Sequence, residues 1–255
     1  MFKERRQTKI QEYLDKHQEV DVNDLASKFD VSVVTIRRDL NEMENKGLIR
    51  RTHGGAVNSD ELMPSSFRKL LTRVNMQRVE KQLIGEYIAS LIKPGETIYI
   101  GAGTTAYWVA KYVIGIKNLT IVTNSLPLAN LIAQIESINL VMVGGYLRHK
   151  EFTFIGQFAE MTLKGLHFNK VIVGMSGIHP DFGFTSDYPQ ELMIDRVFYS
   201  VSENVIVAAD HTKIGHIATY KTADIESVKT IVTTKKASAD LVKKIEQKGV
   251  EVILL

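Results

Sequence analysis

The chain has 255 residues, 44% of them hydrophobic and 24% charged, which suits one large soluble domain or a small one joined to a medium one and excludes disordered, collagen-like and coiled-coil classes. It contains no cysteine, so disulfides, thiolate zinc sites and a cysteine nucleophile are excluded; its seven histidines lack HExxH spacing, and neither a metal nor another cofactor is expected. The formal net charge of +3 permits a nucleic-acid partner without requiring one, the apolar runs fall far short of the roughly 20 residues of a membrane helix, and the charged start Met1-Phe2-Lys3-Glu4-Arg5-Arg6 lacks the apolar stretch of a secretory signal, so a cytoplasmic protein with no membrane partner is expected.

Residues 5–16 place Ile10, Tyr13 and Leu14 at helical spacing, with Arg5, Arg6, Lys9 and Lys16 on other positions, which predicts an amphipathic helix. Asp21 is placed to cap a short helix carrying Leu25, Ala26 and Phe29, broken at Asp30 and Val31. Ser32 then caps a third helix, in which Val33, Ile36, Leu40 and Met43 share one buried face, and Asn45-Lys46-Gly47 ends it where glycine tolerates a left-handed cap. Val34, Thr35, Arg37, Arg38 and Asn41 fall outside that stripe. Guanidinium forks match guanine O6/N7 or phosphate, and a hydroxyl or methyl group can meet base edges, so this face suits a DNA major groove. Two helices joined by a tight turn, the second carrying such a face, make a helix-turn-helix. The run Leu48-Ile49-Arg50-Arg51-Thr52-His53-Gly54-Gly55-Ala56-Val57 reads as two short extended pieces around Gly-Gly, a basic wing. An isolated arginine pair is more often solvated surface, and taken alone these residues leave both readings open. Asp39 either orients Arg38 or another neighbouring arginine through a charge-assisted pair or faces solvent.

The polar, proline-bearing residues 58–66 have the composition of a domain boundary. Residues 67–89 read as helical in their second half; the basic side chains Arg68, Lys69, Arg73, Arg78 and Lys81 could meet the DNA backbone, the other domain or solvent. After Pro94-Gly95, β-rich runs at 97–100, 119–123, 139–143, 170–175, 205–209, 230–233 and 251–254 alternate with helical patterns, predicting a mainly parallel sheet wrapped by helices. Ligands of such sheets sit beyond the carboxyl ends of the strands. Three of those ends are rich in donors: Gly101-Ala102-Gly103-Thr104-Thr105, Thr123-Asn124-Ser125, and Gly144-Gly145 leading to Arg148. Glycines let the backbone approach an anion, and hydroxyls at a helix start supply donors, so together they describe a pocket for a phosphorylated, hydroxylated small molecule.

Arg6, Ile10 and Leu14 at intervals of four, seventeen further residues, then Ser32-Val33-Val34-Thr35-Ile36-Arg37-Arg38-Asp39-Leu40 and Glu44 through Ala56 resemble the signature of the DeoR family of transcription regulators. The later part is similar to the DeoR-type sensor domain, itself resembling ribose-5-phosphate isomerase and CoA transferase folds. The matching pieces are the Gly-Thr-Thr loop, Thr123-Asn124-Ser125, Gly144-Gly145 with Arg148 and Gly156, the Gly174 to Gly177 turn, Glu191, and Ala209-Asp210-His211-Thr212-Lys213-Ile214-Gly215. The resemblance implies an α/β protein with a winged helix-turn-helix at 1–57, a linker at 58–75 and an effector-sensing domain at 76–255. Expected DNA contacts are Arg6, Ser32, Val34, Thr35, Arg37, Arg38, Asn41, Arg50, Arg51, His53 and Gly54, made to double-stranded operator DNA by a homodimer or homotetramer. A phosphorylated sugar would put its phosphate on the 101–105 loop, with Arg148 and Lys213 as cationic partners and Glu191 and Asp210 accepting hydroxyls. For Lys213 a plain surface position, and for Asp210 a turn cap, fit equally well. Family members usually carry an aspartate where this chain has Gly101 and another near Ser176, so the ligand's identity stays open. The alternatives are an isomerase or CoA-transferase-like enzyme fused to a DNA-binding head, for which no complete catalytic set is present, and an architectural protein whose second domain only oligomerises.

Overall fold

The computed structural model describes residues 3–17, 19–45, 48–58 and 65–255, and the chain divides into two compact units, 1–68 and 69–255. The expected stop at Lys46-Gly47 and the boundary segment 59–64 lie outside the described residues.

In the first unit, α1 (Lys3–His17), α2 (Val22–Phe29) and α3 (Val33–Asn45) pack with a small antiparallel sheet of β1 (Glu19–Asp21), β2 (Ile49–Arg51) and β3 (Gly55–Asn58), ordered β1-β3-β2. The caps follow the residue chemistry. The Asp21 carboxylate accepts from the Asn23 and Asp24 amides at 2.7 and 3.3 Å, Asp30 adopts φ 52° to end α2, and the Ser32 hydroxyl accepts from the Thr35 amide at 3.2 Å. Ile10, Leu14, Leu25, Ile36, Leu40 and Met43 close the core. Gly55 is required by close approach, since a β-carbon there would meet the Val20 carbonyl oxygen at 1.7 Å.

Arg6 and Asp39 join this core as a buried pair, with Nε 2.5 Å from Oδ2 and Nη2 3.2 Å from Oδ1. The pair ties α1 to α3, so Asp39 neither orients Arg38 nor faces solvent.

The second unit has α4 (Ser65–Asn75) running into it from residues before the boundary, followed by α5 (Arg78–Ser90). The helix expected only in the second half of residues 67–89 thus has a second helix before it, the two separated by a step at Met76-Gln77, where Gln77 takes φ 51°. The first half is helical because Phe67, Leu70 and Val74 recur at helical spacing and Leu70 and Val74 are buried.

The seven β-rich runs become β4 (Thr97–Ile100), β5 (Leu119–Thr123), β6 (Ile138–Met142), β9 (Lys170–Val173), β12 (Val205–Ala208), β14 (Thr230–Thr233) and β15 (Glu251–Leu254), paired in parallel throughout in the order β15-β14-β12-β9-β4-β5-β6. Successive side chains alternate between two apolar cores: Tyr99, Val171, Val173, Val205 and Val207 enter one, Ile98, Ile100, Ile172, Ile206 and Ala208 the other. Helices α5, α6 (Thr104–Val113) and α7 (Leu126–Ile132) cover the second core, while α8 (Gln157–Lys164), α9 (Leu192–Val201) and α10 (Ala239–Glu246) cover the first. The hairpin β7 (Tyr146–Arg148) with β8 (Thr153–Ile155), and an antiparallel sheet of β10 (Gly177–His179), β11 (Gly183–Ser186) and β13 (Tyr220–Ala223), were not visible as strands in the sequence.

Removing one member of a buried ion pair leaves an uncompensated charge, so Asp39→Ala is expected to destabilise the first unit by about 3–5 kcal/mol in urea denaturation. An unchanged midpoint would show that the pair does not hold α1 to α3.

Candidate functional site

The face of α3 opposite the first unit's core carries Val34, 74% exposed, with Arg37 and Arg38 exposed beside it. Arg38 has only a distant acidic neighbour, with Nε 3.9 Å from Glu42. The Ser32 and Thr35 hydroxyls lie 2.9 Å apart at the helix start. In the wing Arg50, His53 and Gly54 are exposed, while Arg51 donates to the Asn41 side chain and its amide donates to Glu44 at 2.8 Å. Asn41 and Arg51 thus brace the wing against α3. Arg6 is the exception among the expected DNA contacts: it is 6% exposed and committed to Asp39. Its place was legible, since spacing of four from Ile10 and Leu14 puts it on the buried stripe of α1.

In the second unit a cavity of about 470 Å³ opens at the carboxyl ends of β4, β9 and β12. β5 and β6 lie on one side of β4 and β9 on the other, so this is where the strand order reverses. Residues 101–105 line it, with Gly103 at φ 121° leading into α6, as do Gly174, Asp210 and Lys213. Lys213 makes no ion pair among the described residues. The Asp210 carboxylate caps its own turn, accepting from the Thr212 amide at 3.1 Å, and still borders the cavity.

Several expected ligand residues lie elsewhere. Thr123 and Ser125 are buried outside the lining, Thr123 Oγ1 accepting from the Ser125 amide at 3.1 Å and Ser125 capping α7. Asn124 borders the cavity, but its amide is engaged at both ends, accepting from Tyr99 at 2.8 Å and donating to the Phe154 carbonyl at 3.0 Å. Gly144 and Gly145 are also outside the lining; Gly145, at φ 142°, serves the hairpin, where a β-carbon would meet the Ile155 carbonyl oxygen at 2.5 Å. Arg148 reaches the cavity only indirectly, paired with Glu191 and stacked 3.6 Å over the Tyr188 ring, both of which line it.

Several lining residues had no assigned role at this site, among them the charged Arg73, Lys81 and Asp195. Arg73 pairs with Glu151 at 2.6 Å. Lys81 is buried, donates to the Arg73 carbonyl at 2.7 Å and stands 3.9 Å from Asp210. Burial pushes its ammonium down to about 8. Asp195 is held well above the usual carboxylate range by burial and then by neighbouring Glu191, and burial also raises Glu191 against the pull of Arg148. The missed signal was position: Lys81 shares a stripe with Ile84 and Ile88, and Asp195 lies beside Ile194 and Phe198 on the packed side of α9.

Next to Lys81, Glu80 is outside the cavity lining and accepts from the His211 amide at 3.3 Å, Thr234 at 2.7 Å and Lys236 at 3.0 Å, with His211 Nδ1 at 2.9 Å. Burial raises its pKa, but these hydrogen bonds outweigh that and bring it to about 2. The start of α5 is thereby pinned to the turns after β12 and β14.

The model of the DeoR-like helix-turn-helix domain matches residues 6–61, and that of the DeoR C-terminal sensor domain matches residues 76–235. The chain belongs to the DeoR family. A putative aga operon transcriptional repressor of Escherichia coli O157:H7 is 31% identical over 252 residues, 99% of this chain and 93% of that one. The transcriptional repressor AccR of Agrobacterium fabrum is 35% identical over 229 residues, 89% of this chain and 88% of its own. Among solved structures, ribose 5-phosphate isomerase A from Neisseria gonorrhoeae overlaps 52% of each chain at 17% identity and a TM-score of 0.38. Family membership makes this DeoR protein a DNA-binding transcription regulator rather than an enzyme. No helix among the described residues is long and apolar enough to cross a membrane.

Lys81 gives the cavity a pH dependence. Below about 8 it is charged and attracts an anion; as pH rises through that value it loses its proton and the attraction fades. Inorganic phosphate affinity is therefore expected to fall between about pH 7 and about pH 9, and Lys81→Met to flatten the fall. Without ligand the unfolded state holds the extra proton above about 8, so stability should rise from there towards the ordinary lysine value. Identical pH profiles for wild type and variant would remove Lys81 from the site.

Proposed function

We propose that this regulator is a cytoplasmic repressor of carbohydrate-utilisation genes, whose affinity for its operator is set by a small phosphorylated sugar in the strand-end cavity. The observation that carries the DNA half is the polarity of α3: Ile36, Leu40 and Met43 are buried while Val34, Arg37 and Arg38 on the other side face water. A helix inserted in the major groove needs such a face, and Ser32, Thr35, Arg50, His53 and Gly54 flank it with groups that reach bases or phosphates. The names of the relatives as operon and transcriptional repressors support repression. A homodimer or homotetramer would set two such helices on half-sites about 34 Å apart or a multiple of it.

The ligand half rests on chemistry that suits a phosphate monoester. The 101–105 loop offers amides and hydroxyls at the start of α6, and Lys213 offers a charge that no carboxylate among the described residues neutralises. Glu191 and Asp210 would accept sugar hydroxyls. Arg73 gives the cavity a route to the rest of the chain, because it lies in α4, the helix within which the two units divide. A ligand that competes with Glu151 for Arg73 acts directly on that helix. Ligand shifts operator affinity only insofar as it binds the two conformations unequally.

The test is binding of the full chain to its own upstream DNA, measured by fluorescence anisotropy over a range of salt. Arg37→Ala/Arg38→Ala is expected to abolish sequence-specific binding and to make the log–log salt slope shallower by about one for each arginine–phosphate pair removed. Wild-type affinity and slope in the variant would refute the reading of α3.

A further inference from the structure

Reading a base edge takes a side chain that is not already committed within the protein, and on α3 most polar side chains are committed. Asp39 is buried against Arg6. Asn41 accepts from the Arg51 guanidinium, so it lacks the free acceptor and donor with which a side-chain amide reads adenine. The carboxylates that could accept from cytosine N4 are engaged as well: Glu42 with Lys3 at 2.6 Å and Gln7 at 3.2 Å, and Glu44 with the Arg51 amide at 2.8 Å. The Ser32 and Thr35 hydroxyls stand 2.9 Å apart, and Ser32 also caps the helix.

What the first two turns leave free is Val34, Arg37 and Arg38. Val34 is 74% exposed, more than any other large apolar side chain among the described residues. Arg37 makes no ion pair among the described residues, and Arg38 has only the 3.9 Å contact with Glu42. Val34 precedes the two arginines by three and four residues, which places all three on one side of the helix within about 4.5–6 Å along its axis. Base pairs are stacked about 3.4 Å apart, so the three side chains fall on neighbouring base pairs. A valine in a helix is held in one strongly preferred rotamer, and its two methyl groups meet a partner surface with little further ordering. On the base edges of the major groove the apolar feature is the 5-methyl group of thymine.

We propose that Val34 is a specificity residue that packs against the 5-methyl group of a thymine, in a half-site where that thymine lies within about two base pairs of a guanine held by Arg37 or Arg38. Cytosine at that position offers an N4 donor to a side chain that cannot accept it, and uracil lacks the methyl group. This inference rests on the reading of α3 as the helix that enters the groove.

The experiment is fluorescence anisotropy of the full chain on its own upstream DNA, with each thymine of the bound segment replaced singly by uracil, for wild type and for Val34→Ala. Val34 lies outside the core of the first unit and alanine favours a helix, so the variant keeps the fold. Salt is set low enough for both proteins to bind. At one thymine of each half-site, uracil should weaken wild-type binding about three- to fivefold, the scale of one buried methyl group, and leave Val34→Ala unaffected. Wild-type binding that is indifferent to uracil at every position would overturn this inference while leaving the reading of α3 intact. So would a loss that is equal in Val34→Ala, which would assign the methyl contact to another side chain such as Thr35. Wild-type binding without any sequence preference would overturn both.

Discussion

Between β4 and β9 the parallel sheet reverses the direction in which it is built, and the strand-end cavity is a consequence of that reversal. The helix after β4 packs on one face of the sheet while the helices that follow β9 pack on the other, so the loops at the two carboxyl ends part and leave a crevice. Tyr99 is buried with its ring against Phe168 and Phe198, and its hydroxyl donates to Asn124, which lines the cavity. The glycines follow from the same constraint: Gly101 sits over Tyr99 and Val173, where a β-carbon would come within 3.3 Å of each, and Gly103 turns the chain into α6. The start of α6 therefore lies beside the opening the sheet provides.

What surrounds that opening is charged. Among the described residues, each cation around it other than Lys213 is matched: Arg73 with Glu151, Arg148 with Glu191, and Lys81 near Asp210. Pairs of this kind are close to neutral for stability, yet they hold side chains where a ligand can exchange places with one partner. The first unit uses the same device differently. Arg6 and Asp39 are sealed away from solvent, so their pairing orients helices and leaves recognition to the exposed arginines of α3 and the wing.

Much of this was legible in the sequence because it depends on local rules. Asp21 and Ser32 mark helix starts through short-range capping, and the inner strands β9 and β12 are visible because they are buried on both faces and almost uninterrupted in apolar residues. The 101–105 loop was legible for a similar reason, glycine and threonine having a local purpose there. Thr123 and Ser125 looked equally suited to a ligand, yet hydroxyls at a strand end serve a turn and a cap with the same atoms. The residues that sequence reading misplaced or passed over, Arg6, Arg73, Lys81 and Asp195, are charged groups whose surroundings are built by segments far along the chain. Those surroundings could not be named from spacing, but Arg6, Lys81 and Asp195 each fall on an apolar helical stripe, and a charge on such a stripe marks a buried pair or a site wall.

The central claim is that the cavity's occupant and the operator compete for, or reinforce, the same state of the protein. It is tested most directly by titrating a stabilising phosphosugar into the protein–operator complex, for wild type and for Lys213→Ala. The account predicts a saturable change in operator affinity for wild type, displaced to much higher ligand concentration in the variant, whose DNA binding without ligand is intact. Operator affinity that stays constant while the ligand saturates the wild-type cavity would contradict it.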